Sequence, residues 1–395
     1  MLITNNFSWD YPTFESYVEG MCAQIRAFPH ERVALWAPST PETLLALFAI
    51  WKTGKIACPL SPRLPSVVPA LEELETTLFT PQMPQPLSPR PVNWNPDKLA
   101  TFLYTSGSTG KPKIACHTLG NLIQSALGSN QLIPLEPSDQ WALTLPLFHV
   151  GGLGILFRCY LAKCSLLLSS NWTAATHLSL VPTQLFRLLK NPSALPRLKT
   201  LLLGGAPLPD IETPWNIFPS YGMTEMSSQI ITNHQIHPFA ELHITPHHEI
   251  WVRGSVLFQG YYEKTQGIHL PLNSKGWFLT KDLGQWVQNR FQFLGREDNL
   301  FISGGENIQP EEIEDALRRF CSCEEAYVVP LSDAEFGKRP VAFVKPSFDF
   351  LQMQQQLSPH LPKYKIPIRL LPLPEFEGLK PNRAKLTALA KQSVD

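Results

Sequence analysis

Residues 105–113 (TSGSTGKPK) bring hydroxyls, two glycines and two lysines together directly after the apolar run 99–104. A polyphosphate site needs these parts. Glycine lets backbone N–H groups turn toward an anion. Hydroxyls add donors, and lysine adds a point charge. The run is not a Walker A loop, which needs four residues between its glycines and Ser or Thr after Gly-Lys. Here two residues separate Gly107 from Gly110, and Pro112 follows Lys111. On composition alone a flexible surface turn accounts for it equally well. Other chemistry-bearing residues are scattered: His149 in PLFHVGG, Glu225 in SYGMTE, Asp282 in FLTKDLG and Arg296 in FLGREDN. Read singly, His149 is a core histidine, Glu225 a helix-N-terminal carboxylate, and Asp282 and Arg296 solvated surface charges. His243, His247 and His248 lie near Pro246 without an organised carboxylate or cysteine partner, which favours a solvated loop over a metal site.

These residues need elements to position them. Residues 14–28 have helical spacing and 32–36 read as a strand. Residues 42–52 (ETLLALFAIWK) form a strongly apolar helix, and the strand-like IACPL follows. This alternation indicates an α/β domain. Prolines crowd 81–96 and exclude a helix or central strand there. Apolar segments recur at 141–145, 164–168, 200–203 and 250–252, with a helix-like stretch at 183–189. Residues 310–320 (PEEIEDALRRF) start with proline and acidic residues, both favourable at a helix N-terminus. The strand-like AYVVPL and PVAFVKP come next. The expectation is a large N-terminal α/β domain over 1–297 and a small α+β domain over 298–395.

Of the 395 residues 44% are hydrophobic and 17% charged, so a sizeable core can form. Lys plus Arg equals Asp plus Glu at 33 each. A neutral chain has no general attraction to nucleic acid or an anionic membrane, so phosphate recognition must be local. The seven cysteines form no CxxC pair, and neither zinc nor a disulfide framework is indicated. The N-terminus lacks a basic region followed by an apolar run, and no apolar run is long enough to span a bilayer. The expectation is a soluble, cytoplasmic protein.

TSGSTGKPK resembles the signature of the adenylate-forming superfamily, which includes acyl-CoA synthetases, luciferases and the adenylation domains of peptide synthetases. The resemblance continues in order: PLFHVGGL at 146–153, GGAPL at 204–208, SYGMTE at 220–225, HEIWVRGSVLFQGYY at 248–262, GWFLTKDLG at 276–284, FLGREDN at 293–299 and ISGGENIQPEEIE at 302–314. It implies ATP, Mg2+ and coenzyme A, with acyl-adenylate formed first and acyl-CoA second. Thr105, Ser106, Gly107, Ser108, Thr109, Gly110 and Lys111 would hold phosphates. Gly204, Gly205, Ala206, Tyr221 and Gly222 would form the adenosine pocket, with Tyr221 stacked on adenine. Thr224 would contact the AMP phosphate, and Glu225 would bind magnesium. Asp282 would accept the ribose hydroxyls, and Arg296 would reach the ribose or α-phosphate. His149 would stand beside the acyl site, Asp298 at the hinge of a mobile C-terminal domain, and Gly304, Gly305 and Glu306 at the thiol entry.

Two positions depart from the family pattern. Lys281 stands where the family usually has glycine. The catalytic lysine normally follows a glycine, but Leu379 separates Gly378 from Lys380. Lys380 resembles it if a variant ending is accepted, with Lys385 as the fallback. The short chain and the run YGMTEMSSQIIT are similar to the o-succinylbenzoate–CoA ligases of menaquinone biosynthesis. Ser228, Gln229 and Thr232 would then supply donors to the substrate's second carboxylate. Another aryl- or acyl-CoA ligase, a stand-alone enzyme loading a carrier protein, and a non-catalytic nucleotide-binding homologue are the alternatives.

Overall fold

Asp10 accepts a hydrogen bond from the Thr13 amide at 2.8 Å and so caps the first helix, Tyr11–Ala27. This helix buries Phe14, Val18, Met21, Cys22 and Ile25 on one stripe. It packs on Pro41–Lys52, which is buried from Thr43 through Trp51, as suits a helix apolar all round. That second helix is the crossover between the parallel strands Arg32–Trp36 and Ile56–Leu60. A computed structural model describes the chain apart from residues 1, 65, 91–93, 106–111, 190–194, 206–212, 322, 377–380 and 394–395.

Two large sheets carry the N-terminal part. The six-stranded sheet has the order Gly267–His269, Gly260–Glu263, Lys113–Thr118, Leu99–Thr105, Ile56–Leu60, Arg32–Trp36. Leu99–Thr105 and Lys113–Thr118 are antiparallel, with Thr105 opposite Lys113 at the two ends of the glycine-rich segment. In the nine-stranded sheet the parallel strands Ser165–Leu168, Gln140–Ala142, His177–Leu180, Thr200–Leu203 and Ile217–Met223 are successive neighbours. The antiparallel strand Ser228–Thr232 then pairs with Ile217–Met223. Leu119–Leu132, with a Thr118/Asn121 capping box, packs against Val150–Ala162. A four-stranded antiparallel sheet follows: Ala240–Ile244, Glu249–Gly254, Phe278–Val287, Arg290–Arg296.

Beyond Asp298 come the ribbon Phe301–Ser303/Glu306–Ile308, the helix Pro310–Phe320 and a sheet of Glu325–Asp333, Gly337–Lys345 and Arg369–Pro372. Helices Phe350–Leu357 and Arg383–Gln392 complete this part. Its two apolar clusters draw only on residues from Phe301 onward, and the other four draw only on residues before it. Among the described residues, no sheet contains strands from both sides of Asp298. The expected elements form with small shifts: the strand expected at 141–145 is Gln140–Ala142, and the helix at 183–189 is Pro182–Leu189. Among the described residues, no helix is long and apolar enough to cross a membrane.

Candidate active site

Asp282 lies in Phe278–Val287, directly opposite Arg296 at the end of the neighbouring strand. Asp282 is 6% exposed. Arg296 Nη1 donates to Oδ1 at 2.8 Å, and the Tyr221 hydroxyl donates to Oδ2 at 2.8 Å. Three elements therefore converge on one buried carboxylate. The strand bulges here: Leu279 pairs with Trp251 and Leu283 with Glu249, so three residues oppose one. The bulge turns Asp282 inward and puts Lys281 at φ 62°, with its side chain in solvent. A glycine at this position would adopt that φ without strain. The Tyr221 ring packs on Phe291 and Phe293, at centroid distances of 5.0 and 6.1 Å. Burial and then Asp282 raise the Tyr221 pKa well above its ordinary value, so it stays a donor. Burial opposes the charge of Arg296, but hydrogen bonding to Asp298 and the charges of Asp282, Asp298 and Glu225 outweigh it. Arg296 grips Asp298 with both ends of its fork, at 2.9 and 3.1 Å.

Glu225 sits in the single turn Thr224–Met226. The Tyr261 hydroxyl donates to its Oε1 at 2.6 Å, a short charge-assisted bond, and leaves Oε2 for another partner. Lys113 Nζ stands 4.6 Å from the centre of the Tyr261 ring. Two backbone contacts fix the turn: His117 Nε2–H donates to the Thr224 carbonyl at 2.7 Å, and the Phe258 amide donates to the Glu225 carbonyl at 2.8 Å. Burial lowers the His117 pKa to about 4, so the ring is neutral near pH 7 and carries one hydrogen. Gly222 is obligatory for a plain steric reason. A Cβ there would overlap the Ser228 carbonyl oxygen of the adjacent strand.

A further buried polar cluster centres on Arg158, a residue no sequence motif singles out. It is 2% exposed, and its guanidinium lies 5.3 Å from the Trp141 ring centre. Nη2 donates to Ser228 Oγ at 3.3 Å and to the Gln229 side-chain carbonyl. Nε has no partner, and among the described residues no carboxylate pairs with this arginine. Burial lowers its pKa only to about 10, so it remains a cation. Ser129 Oγ also donates to Gln229 Oε1 at 3.1 Å. The Gln229 amide donates to Thr232 Oγ1 at 2.7 Å, and Thr232 bonds to His237 Nε2 at 2.9 Å. Gln229 and Thr232 are thus committed to an internal network that presents Arg158. Ser227 and Ser228 have φ of 57° and 134°, strained backbone directly after Glu225.

His149 is the N-cap residue of Val150–Ala162, the helix that carries Arg158. It packs on Phe148 and burial lowers its pKa. Thr105 ends its strand; Ser106, Gly107, Ser108, Thr109, Gly110, Lys111, Ala206 and Lys380 lie outside the described residues. Gly204 stands against Ser220, and Gly205 adopts φ 83°. Gly304 and Gly305, at φ 57° and 88°, make the two-residue turn of the ribbon after Asp298. Lys385 is exposed in the first turn of the last helix, which Asn382 caps. His117 and Arg158 are the functional candidates the motifs leave out, and Tyr261 stands in a motif that assigned it no role. Tyr261 is the middle residue of the GYY end, and an arginine inside the apolar run GLGILFRCYL is itself a signal.

A family model described as AMP-binding enzyme matches residues 66–262. The 2-succinylbenzoate–CoA ligase of Escherichia coli (strain K12) is 36% identical over 394 residues, covering 90% of this chain and 86% of its own length. The chain belongs to the 2-succinylbenzoate–CoA ligase family of AMP-binding enzymes. The ligase of Haemophilus influenzae is 36% identical over 320 residues, 73% of this chain and 70% of its own length. Among solved structures, a variant of E. coli MenE with bound OSB-AMS matches with a TM-score of 0.87 and 31% identity, over 99% of this chain and 95% of that one. MenE from Bacillus subtilis in complex with ATP and magnesium ion matches at 0.81 and 26% identity, over 98% and 96%. This ligase therefore has the α/β fold of the adenylate-forming enzymes and is an acid–CoA ligase.

Proposed function

We propose that the protein converts 2-succinylbenzoate to its coenzyme A thioester in the cytoplasm, through an acyl-adenylate and with release of AMP and pyrophosphate. Solved relatives are described in complex with ATP and magnesium ion, with the acyl-adenylate intermediate OSB-AMP and with OSB-AMS. The observation that carries the nucleotide half is the buried carboxylate of Asp282 held between Tyr221 and Arg296, with Glu225 close enough to act electrostatically on Arg296. Asp282 accepts the two ribose hydroxyls, as an ionised carboxylate can. Adenine lies against the Tyr221 ring, and Arg296 meets the ribose or α-phosphate. Thr224 contacts the α-phosphate, residues 105–111 supply phosphate-binding groups and residues 204–206 supply part of the adenosine pocket.

The chain's residues fit magnesium. Among the described residues, no group of three or more His, Cys, Asp or Glu gathers in one place, and Glu225 offers a cation a carboxylate oxygen. Magnesium is commonly held by one or two carboxylates together with substrate phosphates. When bound, it neutralises charge on the pyrophosphate. Glu225 would hold it through the oxygen that Tyr261 leaves free.

Arg158 carries the substrate assignment. A wholly buried cation without a carboxylate costs several kcal/mol unless a ligand supplies one. It contacts Ser228, three residues after Glu225, and the helix bearing it starts at His149. The second carboxylate of 2-succinylbenzoate supplies that anion, leaving the aliphatic carboxylate to attack the α-phosphorus. After adenylation the part beyond Asp298 turns about that residue, withdrawing Lys380 and bringing Gly304 and Gly305 to the thiol path. The test is a panel of acids assayed for ATP- and coenzyme-A-dependent AMP release. 2-Succinylbenzoate should exceed benzoate, coumarate and medium-chain fatty acids in kcat/KM. Equal turnover of a monocarboxylic aryl acid refutes the substrate and leaves the ligase.

A further inference from the structure

The side chain of Gln309 crosses from the C-terminal part to the last strand before Asp298. Its Nε2 donates to the Arg296 carbonyl at 3.0 Å. The same amide reaches Glu311, which also accepts from Asn299 and, at 3.5 Å, from Arg383 Nη2. Arg383 in turn pairs with Glu314 at 2.7 Å and donates to the Val328 carbonyl at 2.6 Å. Gln309 thus joins a network rooted in the C-terminal core to the backbone of the residue that holds Asp282. The strand makes room for it at Gly295. That glycine has φ 141°, and a Cβ on it would overlap the Gln309 amide. Gln309 Oε1 is buried and unpartnered, so this amide is held by what its nitrogen does. Among the described residues the two parts share no apolar cluster, so a polar contact of this kind weighs heavily in fixing their orientation.

We propose that Gln309, seated on Gly295 and bonded to the Arg296 carbonyl, is a positioning residue that latches the C-terminal part in one of its two working orientations. It touches neither nucleotide nor acid. It acts by setting how often the ligase occupies the orientation for adenylate formation against that for thioester formation. This inference rests on the two-orientation reading above. A latch that stabilises one state and not the other changes the ratio of the two half-reactions. A structural hydrogen bond lowers both together.

The test uses the full chain and three variants: Gln309→Ala, Gln309→Met, which keeps the shape but has no donor, and Gly295→Ala, which displaces the amide. Pyrophosphate release without coenzyme A reports adenylation. Thioester formation from supplied acyl-adenylate reports the second step. Loss of one hydrogen bond should shift the ratio of the two rates by about threefold to tenfold. All three variants should shift it in the same direction. The Gln309 variants should melt within a few degrees of wild type. Equal loss of both rates, no change in either, or a Gln309→Met variant that behaves like wild type overturns the latch. A wild-type protein that forms no adenylate from any acid overturns the ligase reading with it. Thus an active enzyme with an unmoved ratio refutes only the latch.

Discussion

Asp282 and Arg296 face each other across adjacent antiparallel strands, carboxylate to guanidinium at 2.8 Å. With Tyr221 on the other oxygen, the carboxylate is oriented before any ligand arrives. Asp282→Asn keeps the size and removes the charge. It leaves Arg296 paired with Asp298 alone and offers the ribose one acceptor in place of two. Hydrogen bonds to charged groups contribute about 1.5–3 kcal/mol, so ATP affinity should fall at least about tenfold. Titration calorimetry with ATP measures it, and an unchanged affinity would remove Asp282 from the ribose site.

Glu225 and Tyr261 form a second such pair, at 2.6 Å. Tyr261→Phe keeps the ring beneath Lys113 and frees the carboxylate to rotate. The magnesium concentration for half-maximal pyrophosphate release should rise several-fold, with little change at saturating magnesium. Glu225→Ala should lose about 100-fold or more at any magnesium concentration, the scale of one preorganised electrostatic contact. Identical magnesium curves for wild type and Tyr261→Phe would detach Tyr261 from this role.

Arg158→Met exchanges a buried, uncompensated cation for an apolar chain. Two signs should separate. Melting temperature without ligand should hold or rise, because a charge without a counter-ion leaves the interior. Turnover of 2-succinylbenzoate should fall by about 100-fold or more while the slow turnover of monocarboxylic aryl acids changes little. Parallel loss for both acid types would make Arg158 structural.

Burial lowers the pKa values of His117 and His177 to about 4 and of His237 to about 3. Their ordinary value is 6.5, so between about pH 6.5 and 4 the unfolded chain binds more protons than the folded one. Stability therefore rises with pH across that window and is lost as the solution is acidified through it. Thermal melts at half-unit steps should show this slope. His237→Gln should flatten it, and a flat wild-type profile from pH 6.5 to 4.5 would contradict the burial of all three as neutral rings.

The group formed by Tyr221, Asp282, Arg296 and Asp298 was legible because its residues stand in short local strings: Tyr221 near Glu225, Asp282 in its strand, Arg296 with Asp298. Helix and strand alternation was legible for the same local reason, and the boundaries moved by a few residues where caps such as Asp10 decide them. The cluster around Arg158 was not. Gln229 and Thr232 looked like free donors four and seven residues after Glu225. Two of their partners, Ser129 and Arg158, come from elements brought together only by tertiary packing, and His237 reaches Thr232 across the turn that follows it. Lys281 looked like a bulky charge beside the ribose. The bulge that puts it at φ 62° also points it to solvent, and no local pattern reports that bulge.

The part beyond Phe301 has an interior of its own, and this divides the molecule's cooperativity. Heating should produce two calorimetric transitions instead of one all-or-none event. A packing defect at Leu317 or Val328 would lower one transition and spare the other. A single midpoint quoted for a variant would then describe neither unit, and a damaged C-terminal unit could leave a chain that still binds ATP yet cannot complete a turnover.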